Sequence, residues 1–254
     1  MSRIVTLYSY RGGTGKTTTA VNLSRLLAER GERVAVVDTA LQAPALHTLF
    51  NLGDIPEWIS FTDYLIGRCT LEDAIQPIEL TEDAAAAGGG LYAVPACDRS
   101  YKLEAILTRG YDIGLLHEAF YQLIDRLNLD TLVLDTFPGI TNETASAVAR
   151  SDALVMMTRA DRAALVGAPK AVDAVAGLSR GRRLLAVSLL TETEIGEQFG
   201  ELLAQAYNAP VAALLPPAPE LAGAPAKTFF VDAYPSHPLT REYRRLVDSL
   251  DGAA

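Results

Sequence analysis

Nowhere in the 254 residues does an apolar run approach the ~20 residues that a membrane-crossing helix requires. The opening Met1-Ser2-Arg3 runs straight into a strand-like segment, without the charged and apolar regions of a signal peptide. Cysteine is scarce: Cys69 and Cys97 stand alone, with no Cys-x-x-Cys and no metal-ligand spacing. That spacing argues against a disulfide framework, a thiolate zinc site or an iron–sulfur carrier, and for reduced thiols in the cytoplasm. Positive charge is in deficit, with 22 Lys and Arg against 31 Asp and Glu. A net charge of -9 is at odds with a uniformly basic nucleic-acid surface but leaves room for a local basic patch. His47, His117 and His237 are scattered along the chain, and none is assigned to metal or chemistry.

What is present is concentrated near the start. Ile4 to Tyr8 is an apolar run, and Val21, Leu23, Leu26 and Leu27 mark an amphipathic helix. Between them lies Arg11-Gly12-Gly13-Thr14-Gly15-Lys16-Thr17-Thr18, a phosphate-binding loop in which Tyr10 replaces the usual first glycine. Gly12, Gly13 and Gly15 free the backbone to turn successive N–H groups inward, where Thr14 and Thr18 join them at the phosphates. Lys16 supplies a point charge for the β and γ phosphates, the Thr17 hydroxyl suits Mg2+, and the helix N-terminus aims its positive end at the same oxygens.

The rest alternates strand and helix. Strands are expected at 33–38, 91–95, 131–135, 153–158, 184–189 and 211–215. Helices are expected at 113–127 behind an Asp112 cap, and near 162–178, 195–206 and 238–250. Gly31 is a plausible end for the first helix. Residues 44–83, with Trp58, read as short helices and turns, and the Ala84–Gly90 tract reads as a mobile surface loop. This order implies one α/β domain over residues 1–254, a three-layer α/β/α P-loop NTPase fold with a mostly parallel twisted sheet of about seven to eight strands. Strand ends then bring Asp38 and Asp135 to the edge that carries the phosphate loop. Asp135 either holds Mg2+ through a water or merely starts a turn.

Three segments together, 11–17, 37–44 and Leu134-Asp135-Thr136-Phe137-Pro138-Gly139, resemble the ParA/MinD group of P-loop ATPases, which position plasmids, division sites and large protein assemblies in bacteria. The resemblance covers almost the whole chain. It implies ATP and Mg2+ as cofactors, with Thr17, Asp38 and Asp135 at the metal. It also implies a homodimer that sandwiches ATP, an adaptor or cargo protein, and a cytoplasmic or nucleoid-associated location.

Three departures stand out. Arg11 occupies the position of the lysine that reaches across the dimer to the partner's phosphates; an arginine there keeps the charge and adds a planar fork, or is a solvated loop charge. Some carboxysome-distributing relatives lack that lysine too. Ala40 replaces the second carboxylate of an Asp-x-Asp pattern, the group that positions the attacking water, so hydrolysis is expected to be slow while ATP binding survives. Ser188 replaces an asparagine that reads adenine, leaving the backbone from Pro216 to Pro219 to supply the discrimination.

Two rivals remain alongside a switch ATPase. A tyrosine kinase of similar build carries a tyrosine-rich tail, which Tyr243 to Leu250 is not; a non-hydrolysing scaffold or regulatory module would show just such an alanine. Arg180, Arg182 and Arg183, with Arg241, Arg244 and Arg245, form either a non-specific DNA patch in a dimer or ordinary solvated charges. The last helix mixes Arg245 and Asp248 among few apolar residues, so it is expected to lack the strong apolar face of a membrane-binding helix.

Overall fold

A computed structural model describes residues 2–52, 59–97, 100–161, 169–190, 194–223 and 228–252. Its centre is an eight-stranded sheet in the order β3-β4-β2-β5-β1-β6-β7-β8. The strands are β1 Arg3–Tyr8, β2 Arg33–Asp38, β3 Gln76–Ile78, β4 Gly90–Val94, β5 Thr131–Asp135, β6 Ala153–Arg159, β7 Arg182–Ser188 and β8 Val211–Leu215. All neighbours run parallel except β3, which pairs antiparallel with β4 at one edge.

Side-chain alternation along each strand makes the two faces. On β1, Val5 and Leu7 join Val34, Val36, Val133 and Val155 in one core, while Ile4 turns to the opposite face with Ala35, Val37, Leu132 and Leu134. The first face is covered by the helices α1 Lys16–Glu29 and α11 Pro238–Leu250. The second is covered by α3 Phe61–Leu65 and α6 Ile113–Leu127 over β2, β4 and β5, and by α8 Pro169–Ala176 and α9 Glu194–Tyr207 over β6 and β7. Both faces are dry, which explains why the strands read as continuous apolar runs. The three-layer α/β/α expectation therefore holds.

Local signals account for several boundaries. The Asp112 carboxylate accepts from Gly114 N at 2.8 Å and starts α6. Gly31, with φ of 89°, follows the Arg30 cap of α1 as expected of a residue just past a helix end. Shorter helices lie between the strands, α2 Leu46–Leu49, α4 Glu82–Ala86, α5 Ser100–Arg109 and α7 Asn142–Ala149, and α10 Phe230–Ala233 follows β8.

Two expectations are overturned. The Ala84–Gly90 tract is not a mobile loop: α4 ends within it, Ala84 is buried, and Gly90 opens β4. Gly88 is there for its left-handed backbone, with φ of 92°, and Gly89 for space. A Cβ on Gly89 would overlap the Ala28 carbonyl oxygen of α1 and come within 2.9 Å of the Ala84 carbonyl oxygen, and one on Gly31 would meet the Ala87 carbonyl oxygen at 2.6 Å. The last helix, α11, does have a strong apolar face. Leu239, Tyr243, Leu246, Val247 and Leu250 recur at helical spacing and are all buried against α1 and the sheet, so that face is spent on the core.

The short edge strand β3 corrects the reading of residues 44–83 as helices and turns alone, and α5, α7 and α10 are additions to the expected elements. Trp58 and residues 162–168 of the expected 162–178 helix lie outside the described residues.

Candidate functional site

The central strand β1 delivers its loop between β5 and β6, at the edge where the parallel strands end. Gly13 and Gly15 take φ of 72° and 85°, the left-handed conformations that the loop needs, and Gly15 caps α1 without any side-chain acceptor. The first N–H groups of α1 therefore open toward the loop's interior. The loop is tied to its neighbour: Gly139 N donates to Ser9 O at 2.9 Å, and the Thr136 hydroxyl donates to Leu7 O at 2.7 Å.

Lys16 is folded into this cradle. Its ammonium donates to Ser9 Oγ at 2.7 Å, and that hydroxyl donates in turn to the Arg11 carbonyl at 2.6 Å. Burial lowers the Lys16 pKa, and the nearby Asp135 carboxylate pulls it back up.

Asp38 and Asp135 face each other in register on β2 and β5, both essentially buried. Their environments differ. The Asp38 carboxylate accepts from Ala40 N at 3.0 Å and from Ala45 N and Leu46 N at 3.2 Å, so it closes the turn after β2 and holds the start of α2. Asp135 Oδ1 has no hydrogen-bond partner, although the Thr17 hydroxyl and the Lys16 ammonium both act on that carboxyl group. Burial lifts both carboxyl groups well above the ordinary range; for Asp38 the charge of Asp135 adds to the rise, and for Asp135 the Thr17 hydrogen bond and Lys16 oppose it. An orphaned buried carboxylate oxygen beside a threonine hydroxyl is a donor set that fits a hard divalent cation. Asp135 and Thr17 would hold it, whereas Asp38 would have to surrender backbone hydrogen bonds to do so.

Beyond the loop lies a cavity of about 380 Å³. Gly13, Thr14, Gly15 and Thr18 line it from the loop, and Ser188 and Pro216 from the ends of β7 and β8. Leu189, Leu239 and Tyr243, also on its lining, were not foreseen. Leu189 holds φ of 62° and is 47% exposed, an unusual conformation for a residue with no local polar compensation. No sequence pattern marks it. The Ser188 hydroxyl donates to the Thr158 carbonyl at 3.1 Å, leaving its oxygen lone pairs free. Arg11 is not gathered with these groups; it lines a second, smaller cavity on the other side of the loop, together with Arg159 from the end of β6. Ala40 is buried beside Asp38, with only a methyl group to offer.

The family description "CobQ/CobB/MinD/ParA nucleotide binding domain" matches residues 5–227. The chain belongs to that family. As a ParA/MinD-type protein it is 26% identical over 256 residues to an uncharacterized ATP-binding protein of Methanocaldococcus jannaschii, covering 100% of this chain and 89% of that one. Its fold is similar to that of the septum site-determining protein MinD from Pyrococcus horikoshii OT3, solved in complex with Mg-ADP. There the TM-score is 0.78 with 24% identity, covering 99% of this chain and 96% of that one. It is also similar in fold to Cyanothece McdA with an aspartate-to-alanine substitution, solved as an ATP complex, at a TM-score of 0.72 and 16% identity over 100% and 97% of the two chains. Among the described residues no helix is long and apolar enough to cross a membrane.

Proposed function

We propose that this ParA/MinD-type chain, acting as one unit over residues 1–254, binds Mg-ATP in the cradle from Gly12 to Thr18. On this reading it dimerises around the nucleotide and hydrolyses it slowly while positioning intracellular cargo through an adaptor protein. The observation that carries this reading is the unpaired, buried Asp135 Oδ1 next to Thr17 and Lys16. A polar atom left so in a packed interior calls for a ligand. Bound there, Mg2+ would offset charge on the β and γ phosphates. The chain's own groups do the rest: loop N–H groups and Lys16 orient the phosphates, and Lys16 exchanges its hold on Ser9 for a phosphate oxygen. Thr17 and Asp135 serve the metal, and Asp38 shapes the turn that carries residue 40.

Ala40 lacks any group to orient an attacking water, so slow turnover follows from positioning alone. Adenine preference finds support in the rim of the larger cavity. Pro216, Pro217 and Pro219 have no N–H, so that rim is poor in backbone donors for the guanine oxygen. Of the six candidate DNA-contacting arginines, Arg183 stands 3.6 Å from Asp173, Arg245 stands 3.8 Å from Glu242, and Arg244 donates to Pro235 O. Any DNA binding by the dimer through these arginines should fall steeply with salt.

The test is direct. Purified protein should bind ATP with Mg2+, prefer it to GTP, and sediment as a dimer only when ATP is present; Lys16→Ala should abolish all three. Ala40→Asp should raise ATP turnover at least tenfold. A second reading, a permanent non-hydrolysing scaffold, is favoured by Ala40 itself. It wins if the protein binds ATP without turning it over and Ala40→Asp restores no turnover.

A further inference from the structure

The turn Tyr234-Pro235-Ser236-His237-Pro238-Leu239 leads into α11 and ends on a residue that lines the larger cavity. His237 is the N-cap of that helix: its Nδ1 accepts from Leu239 N at 3.0 Å, and Pro238, with no N–H to satisfy, fills the first helical position. An accepting Nδ1 leaves the ring hydrogen on Nε2. That nitrogen faces Glu220 Oε2 at 3.6 Å. The ring is held in this attitude by Phe230, which meets it edge to face with centroids 5.2 Å apart.

Glu220 belongs to a short 3-10 turn, Pro219–Gly223, and carries its only polar side chain. Pro219 and Leu221, on either side of it, line the larger cavity, as do Leu239 and Tyr243 from α11. Two segments of that lining, one from after β8 and one from the last helix, are therefore joined through the two nitrogens of one imidazole. A serine or aspartate would cap α11 as well, but neither has a second group to offer in the opposite direction. The lining around them is mostly apolar, with Leu189, Leu215 and Pro217 among its members. A planar ring seated there is held by contact, and a gap of 0.5–1 Å already forfeits about a quarter to a half of each contact's attraction.

We propose that His237 is a positioning residue for the base of the bound nucleotide: it ties the Pro219–Gly223 turn to the start of α11 and so sets the spacing of the cavity that grips a purine. The tie rests on the nucleotide reading above and deepens it. Neither His237 nor Glu220 is on the lining itself, so both act through Pro219, Leu221 and Leu239.

Isothermal titration of the full chain with Mg-ATP and with magnesium tripolyphosphate, which fills the loop without a base, tests it on the wild type, Glu220→Ala, Glu220→Gln, His237→Asn and the double variant Glu220→Ala with His237→Asn. Glu220→Ala and His237→Asn, which keeps a cap acceptor and loses the reach to Glu220, should each weaken Mg-ATP roughly three- to fivefold, the size of a partly exposed pair, and leave tripolyphosphate unchanged. The double variant should be no weaker than either single one, because both remove the same tie. Glu220→Gln keeps an oxygen for the ring N–H and should recover part of the loss. Equal effects on the two ligands, no effect on Mg-ATP, or losses that multiply in the double variant would overturn the tie. A wild type that binds neither ligand would instead overturn the nucleotide reading itself, and the tie with it.

Discussion

Replacing Asp135 by asparagine should make the ligand-free protein more stable at pH 8 and weaken its hold on Mg-ATP. Burial lifts the Asp135 carboxyl from 3.8 to about 6, against the opposing pull of Thr17 and Lys16. A carboxyl group with a raised folded-state pKa binds its proton more tightly in the folded chain than in the unfolded one. Its stabilising effect is complete below pH 4, and stability is lost as the pH rises to about 6. At about 1.4 kcal/mol per unit, that rise of roughly two units costs the folded state on the order of 3 kcal/mol at pH 8. Asparagine keeps the shape and removes the charge. It also relieves Asp38, whose own carboxyl is raised first by burial and then by the Asp135 charge. The opposing pull of Lys16 is already contained in that value, so the gain stays on the order of 3 kcal/mol. In a chain of this size that is a rise in melting temperature of roughly 6–12 °C. Thermal unfolding of both proteins without nucleotide at pH 4.5 and pH 8 measures it, and at the lower pH, between the unfolded and the folded value, the gap should shrink to roughly a third. An asparagine variant that melts at or below the wild type at pH 8, or a gap indifferent to pH, would refute the reasoning.

Other outcomes follow from packing and pairing. Gly89→Ala should cost about 3 kcal/mol, because its methyl group would strike the backbone of α1 and α4 and neither can yield as a side chain would. Gly15→Ala should cost only about 1 kcal/mol in unfolding experiments: the position has open space around it, and the penalty is the left-handed backbone alone. Asp63→Asn should lose roughly 3 kcal/mol in chemical denaturation. It would strip the buried Lys102 ammonium of a carboxylate at 2.5 Å that also caps α3 through Ser60. Burial pushes that carboxyl up, hydrogen bonds from Lys102 and Ser60 more than offset it, and its contribution should vanish as the pH falls below the ordinary carboxylate range.

The layers were legible because both faces of the sheet are dry. Runs such as Val34–Val37 and Leu132–Leu134 have no polar interruption, and glycine spacing marked the loop that follows β1. The short strand β3 escaped notice because Pro77 sits at its middle, tolerable only where one side of the strand is an edge. The glycines at 88–90 read as slack, since a sequence does not distinguish a glycine kept for freedom from one kept for a close approach. The apolar face of α11 was hidden for a different reason: charged residues are as numerous as the apolar residues of that face, and only their angular arrangement separates the two. At the site, the residues of the loop itself were readable from their spacing. Arg159 and Leu189 were not, because each enters from a strand end whose position depends on the sheet order.

Helix α1 is grasped along its entire length. Its first turn belongs to the phosphate cradle, Asn22 accepts from Val231 N, Arg25 pairs with Asp232, and its last turn beds against Gly89 with no room to spare. Fourteen residues at 1.5 Å each make a rod of about 21 Å. A push of a few tenths of an ångström on the phosphate end has no soft joint in which to dissipate. Such a shift is expected to register at Gly89 and the start of β4, the margin of the sheet on which the far end of the helix rests.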